Sequence, residues 1–121
     1  MIKATFKITG ENIREDVTKA IAEFQQDEYV AQYEFDSGMV FMFEQYKRAL
    51  SNFVLNVVLD SSISSKKNEF IIQCFAMGKK NRAELNLINY EKSTIEDLRA
   101  HIFGYSKRNN QDWNIDELRY V

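Results

Sequence analysis

Proline is absent from this 121-residue chain, cysteine and histidine occur once each, and glycine occurs four times. Without proline, chain reversals must rest on glycine, polar runs and local side-chain bonding. A lone cysteine, Cys74, excludes an internal disulfide framework and any multi-cysteine zinc site. No apolar run approaches the ~20 residues that span a bilayer, and the amino terminus lacks a signal peptide's apolar stretch. A reducing cytoplasmic location without membrane contact is therefore expected. Charge of one sign is lacking too: 16 basic and 18 acidic residues leave a net charge of -2, too little to favour nucleic acid or membrane through a global field. Catalytic and phosphate-binding signatures are missing, with no glycine-rich loop after a strand, no HExxH, no CxxC and no nucleophile elbow.

What the chain does have is a hydrophobic content of 45% with nine Phe, which fits one folded domain over 1–121 and not a disordered segment. Ile2, Ala4, Phe6 and Ile8 alternate with Lys3, Thr5 and Lys7, the pattern of a half-buried strand ending at Gly10. Asn12 and Glu15 have cap-box spacing, and Ile13, Val17, Ala20, Ile21 and Phe24 then recur at helical intervals until about Gln26. Tyr29, Ala31, Tyr33 and Phe35 open a second strand, and Asp36-Ser37-Gly38 reads as a hairpin turn in which Gly38 supplies a positive backbone angle. Three more strands follow, around Met39–Tyr46, Phe53–Leu59 and Phe70–Met77, with the polar stretch Ser61 to Asn68 as a long mobile loop. Ala83, Leu85 and Leu87 suggest a weaker sixth strand. Ser93 and Glu96 form a capping box for a second helix with Ile95, Leu98 and Ile102 on its buried stripe and Gly104 as its stop. From about 105 a less regular tail holds Trp113, Ile115, Leu118 and Tyr120, a pattern open to a short helix or an edge strand.

The order strand, helix, five strands, helix predicts an α+β fold: a mostly antiparallel sheet of about six strands with both helices on one face. Phe6, Ile8, Ile21, Phe24, Phe41, Phe43, Leu55, Val57, Ile72, Leu98 and Ile102 are the expected core between the layers. The middle strands are apolar on their other face as well. Val40, Met42, Tyr46, Val54, Val58, Ile71, Phe75 and Met77 form it, an excess that a second subunit, a partner or the tail must cover.

The element order resembles that of START-like helix-grip proteins, which enclose a ligand cavity, although this chain is one strand and one helix shorter. Phe43-Glu44-Gln45-Tyr46, Leu55 to Leu59 and Ile72 to Gly78 also resemble the spacing in a small bacterial domain family of unknown function. That family has an acidic-basic-tyrosine triplet where this chain has Glu44-Gln45-Tyr46, and small residues where it has Lys79 and Lys80. The resemblance implies no activity and assigns no residue a role.

Single residues point the same way. His101 lies at the boundary of its helical stripe, where a solvated or capping role is commoner than a ligating one. Cys74 sits mid-strand beside Phe70, Ile72 and Ala76, as a packed thiol would. Glu44 shares a face with Val40, Met42 and Tyr46, where a raised pKa could make it an acid or base, but it lies near a strand end within reach of water or Lys47. In an antiparallel meander, alternate turns fall at the same end of the sheet, so Lys47, Arg48, Lys79, Lys80 and Arg82 are candidates for a cationic cluster that could bind nucleic acid or another polyanion. Lysines at hairpin tips more often serve solubility and block edge pairing.

No metal, no cofactor and no catalytic residue is expected. The favoured reading is a small non-enzymatic binding domain acting as a homodimer or on a protein partner. A ligand carrier or weak enzyme, with a pocket between sheet and helices near Glu44 and Tyr46, is the alternative. A structural protein of a phage or mobile element is a third.

Overall fold

Alternation of period two and stripes of period 3.6 emerge as strands and helices in the computed structural model. It describes residues 2–11, 13–24, 29–35, 38–48, 51–60, 68–78 and 87–121, with the backbone alone for 29–31, 35, 43–48, 51–60, 77–78 and 87–90. The elements in chain order are β1 (Ile2–Thr9), α1 (Ile13–Phe24), β2 (Tyr29–Phe35), β3 (Gly38–Arg48), β4 (Ser51–Asp60), β5 (Glu69–Gly78), α2 (Leu87–Arg108), β6 (Asn114–Ile115) and β7 (Arg119–Tyr120). The fold is α+β. Every strand pairing is antiparallel, and the sheet order is β2-β3-β4-β5-β1-β6 with β7 also on β1. The first strand therefore crosses over to lie beside the fifth.

Register decides which residues enter the core. Ala4 pairs with Cys74, Phe6 with Ile72 and Ile8 with Phe70, and all six are buried. Across β4 the same face continues to Met39 and Phe41, also buried. Ile13, Val17, Ala20 and Ile21 of α1 and Ile95, Leu98 and Ile102 of α2 complete one cluster against that face. Both helices thus cover the same side of the sheet. Phe24 sits at the rim, partly buried. Phe43, Leu55 and Val57 hold core-face register positions, opposite one another or opposite Phe41 and Cys74, while their side chains lie outside the described residues.

Several expectations need correction. Leu87 opens α2 and is not part of a strand; Ala83 and Leu85, like the cap residue Asn12 and the stretch 61–67, lie outside the described residues. Ser93 is inside α2, six residues beyond its start, and its neighbours Glu91 and Thr94 are buried polar residues of the helix. Gly104 does not stop the helix. A Cβ placed there would meet nothing within 4 Å, so this glycine lies in a helix surface that any side chain could occupy. Gly38 is the first residue of β3, paired with both Phe35 and Asp60, while Asp36 and Ser37 of the expected turn lie outside the described residues.

The true stop of α2 is Asn110, whose φ of 53° places it in the left-handed region. Its amide bonds back to the Lys107 carbonyl and the Gln111 amide to that of Ser106, at 3.3 and 2.8 Å. This is the paired hydrogen-bond pattern of a Schellman turn, with asparagine in the place glycine usually takes. Lys107 and Arg108 in the last turn complement the helix dipole. Buried Ser106 donates from Oγ to the Gln111 carbonyl and fixes the exit direction of the tail.

The tail then becomes strand. Ile115 pairs with Ile8 and Tyr120 with Ala4, which places both on the helix side of the sheet. Trp113 stacks on Tyr105 of α2 with ring centroids 5.9 Å apart. Arg99 of α2 donates to the carbonyls of Asp116 and Ile115 at 2.8 and 3.3 Å, and the Tyr120 hydroxyl donates to Glu96 at 3.1 Å.

Gly10 is where this packing is tightest. A Cβ there would stand 2.7 Å from Trp113 Cδ1 and 2.8 Å from Ile13 Cγ2, the first a rigid ring and the second part of a fully buried side chain. Gly10→Ala is expected to destabilise the fold by about 1–3 kcal/mol through overpacking. Urea unfolding followed by the fluorescence of Trp113, the chain's single tryptophan, measures this; an unchanged midpoint would show that the tail does not seat against Gly10.

Candidate interaction face

The side of the sheet that faces away from the helices is built by the other half of each alternation. Pairing carries it across the sheet in rows. Tyr33 lies beside Val40, Val40 beside Val58, Val58 beside Gln73, Gln73 beside Thr5, and Thr5 beside Arg119. A second row runs through Met42, Asn56, Phe75 and Lys3. Val54 pairs with Met77 and with Glu44, Tyr46 with Asn52, and Ile71 with Asp60. All eight residues expected on this face occupy register positions on it.

Among the described residues no helix lies over this face. Tyr33 is 68% exposed and Met42 41%, while Val40, Ile71 and Phe75 are half-buried. The tail, considered as its cover, goes elsewhere: Trp113, Ile115 and Leu118 pack against the core cluster. Two things were not evident from the apolar alternation alone. Asn56 and Gln73 interrupt the apolar area, and its β1 flank is cationic. Lys3, Lys7 and Arg119 share that flank, with Lys3 Nζ 5.9 Å from the centre of the Phe75 ring and Lys7 Nζ 3.9 Å from Glu69. The signal for the flank was present in the polar half of β1, which reads as a wet face until its strand neighbours are known.

Glu44 does lie on the same face as Val40, Met42 and Tyr46, at a backbone position opposite Val54; its side chain is outside the described residues. Of the candidate cationic cluster, Lys47 and Arg48 end β3 at the same end of the sheet at which Gly78 ends β5, because Gln45, Phe53 and Gly78 align in one row. Lys79, Lys80 and Arg82 lie outside the described residues.

His101 has a structural post. Its Nε2 lies 3.0 Å from the Ala20 carbonyl, an acceptor only, so that nitrogen carries the proton and donates it. Its ring lies 5.3 Å from Phe24, and with the Arg108–Glu23 pair at 3.0 Å it ties α2 to α1. Among the described residues no cluster of three potential metal ligands occurs, and no helix is long and apolar enough to cross a membrane.

Two open concavities border β1. One of about 540 Å³ lies where the tail bulges from the sheet between β6 and β7, lined by Thr5, Lys7, Ile71, Asp116, Glu117 and Arg119. Its two cations are matched by two acids, so it offers no surplus charge to a ligand of either sign. The other, about 750 Å³, has Gly10, Glu11, Asn68, Asp112 and Trp113 in its wall. The Trp113 indole N–H has no acceptor among the described residues, but it is buried too deeply to meet a ligand from the solvent side. Neither concavity lies between sheet and helices.

No family model and no curated protein matches this chain in sequence, so geometry and chemistry alone carry its functional reading.

Cys74 is free, buried and paired with Ala4 in the centre of the sheet. Burial pushes its thiol up to about 12. In the unfolded chain it would ionise near 8.5. The folded state holds the extra proton, so its stabilising effect is complete below that value and is lost as pH rises towards about 12. The thiol is expected to resist maleimide at pH 7–8 until the chain is unfolded by denaturant. Rapid labelling of native protein would place Cys74 outside the core.

Proposed function

We propose that this chain is a non-enzymatic interaction domain that docks a protein surface on the sheet face opposite its helices. The observation that supports this most is the placement of its cover: α1, α2 and the tail's apolar residues all join the cluster on one side, while Tyr33 and Met42 stand exposed on the other. Tyr33 and Met42 leave apolar surface open to water, and apolar patches on a sheet face mark contact sites when they are large. Half-buried Val40, Ile71 and Phe75 extend it across the sheet centre, and the lysines and arginine on one flank give it a polar rim of the kind that surrounds interface cores. A cytoplasmic setting belongs to the same reading, since the only thiol is unpaired and buried. The ligand-carrier alternative gains nothing from the two concavities, which lie along β1 and not beneath the helices.

The test compares the two faces in dilute protein. Met42→Asp is expected to cost about 1 kcal/mol or less and Phe75→Asp, at a half-buried position, up to about 3 kcal/mol, with the far-UV circular dichroism kept. The same pair should remove most of the binding of an environment-sensitive apolar dye. Ile72→Asp, on the core side, should unfold the chain by burying a charge at a cost above about 4 kcal/mol. Dye binding that survives both face substitutions would end the proposal.

A further inference from the structure

The geometry points to a second copy of this chain as the occupant of that face, packed about a two-fold axis that lies in the interface parallel to the strands. This rests on the interaction reading above and adds the partner and its orientation.

Size permits it. Five strands about 4.8 Å apart, each contributing about eight residues of about 3.3 Å, span roughly 24 by 26 Å, or about 600 Å² of flat area. Side-chain relief and the β7 flank bring this towards the roughly 800 Å² per partner that a stable interface buries.

Charge selects the orientation. The cations Lys3, Lys7 and Arg119 are segregated on the β1 flank, and the β2–β3 flank presents Tyr33, Val40, Met42 and the Glu44 position. A two-fold axis across the strands would lay β1 on its own copy, with Lys3 of each over Lys7 of the other, two like-charge contacts removed from water. An axis parallel to the strands preserves each row and reverses its order. In the central row Arg119 then stands over Tyr33 of the other copy, Thr5 over Val40, and Gln73 over the Val58 position. Arg119 meets an exposed aromatic face, a favourable cation–π partner. The polar Gln73 and Asn56 positions fall near the centre, over the Val58 position and Phe75 of the other copy. Aligned sheets normally cross at about −30°, which displaces the row ends by a few ångströms without exchanging the flanks.

Engineered cysteines test this in the full chain, because buried Cys74 leaves the introduced thiol as the reactive one. Thr5→Cys and Val40→Cys proteins are mixed, allowed to exchange, and treated with a short bis-maleimide, with sedimentation run in parallel. The expected result is a dimer in which the mixture crosslinks to a heterodimer and Thr5→Cys alone does not. Three results would overturn the proposal, and they fall differently on the reading beneath it. Efficient crosslinking of Thr5→Cys alone would place β1 on β1, ending the axis but keeping the face. A dimer that crosslinks in neither case would be built elsewhere and would take the face with it. A monomer at high concentration would remove the second copy as occupant, while the dye measurement decides separately whether the face is bare.

Discussion

The pairing of β1 with β5 is the constraint on which the rest depends. Eight consecutive residue pairs join the beginning of the chain to a strand more than sixty residues later. Their register puts Ala4, Phe6 and Ile8 with Cys74, Ile72 and Phe70 beneath the helices. A slip of one residue would turn these outward and bring Lys3, Thr5 and Lys7 into the core, so burial fixes the register strongly. The same pairing makes β1 the strand on which the tail ends, and it sets Lys3 and Lys7 beside Phe75 and Ile71. Core, tail and candidate face follow from one strand placement.

Interactions that hold the layers together gather on the helix side. His101 bonds the Ala20 carbonyl, Arg108 pairs with Glu23, Arg99 holds two tail carbonyls, and Tyr120 reaches Glu96. Each joins elements distant in sequence, and none draws on the opposite face of the sheet. Partial desolvation of Tyr120 and its bond to Glu96 raise the phenol's pKa.

Periodicity revealed the parts whose side chains alternate cleanly. The β1 strand, the α1 stripe and the apolar second face were all readable because Ile, Phe and Val recur at the right intervals. The start of α2 was hidden in part because Glu91 and Thr94 occupy buried positions of the helix, where an apolar period shows nothing. Its end was misplaced because glycine is the usual stop signal, whereas Gly104 lies in an open helical surface and Asn110 makes the left-handed turn. The strands β6 and β7 have two residues each, too few to show any period. What holds them in place is backbone bonding to β1 and the reach of Arg99, neither of which leaves a local pattern. The cationic flank of the candidate face likewise needed the register, since Arg119 and Lys7 are far apart in the chain.

How the sheet treats its edges bears on how it would associate. Unpaired strand edges invite pairing with other chains, and folded proteins guard them with charge, bulges or a covering segment. Here the outer side of β1 is taken by the tail, with Asp116 bonding the Lys7 carbonyl and Val121 that of Lys3. At the other end of the sheet, β2 has a register shift between Tyr29 and Ala31, and its Glu34 is exposed and paired with Arg14 at 3.6 Å. Both edges therefore carry devices that oppose strand addition. The wide face between them has the amide positions Asn56 and Gln73 among apolar ones, its cations on the β1 flank, and acidic positions at Glu44, Asp60 and Glu69. With the edges guarded, an association of this fold would proceed by stacking of sheets and not by extension of the sheet.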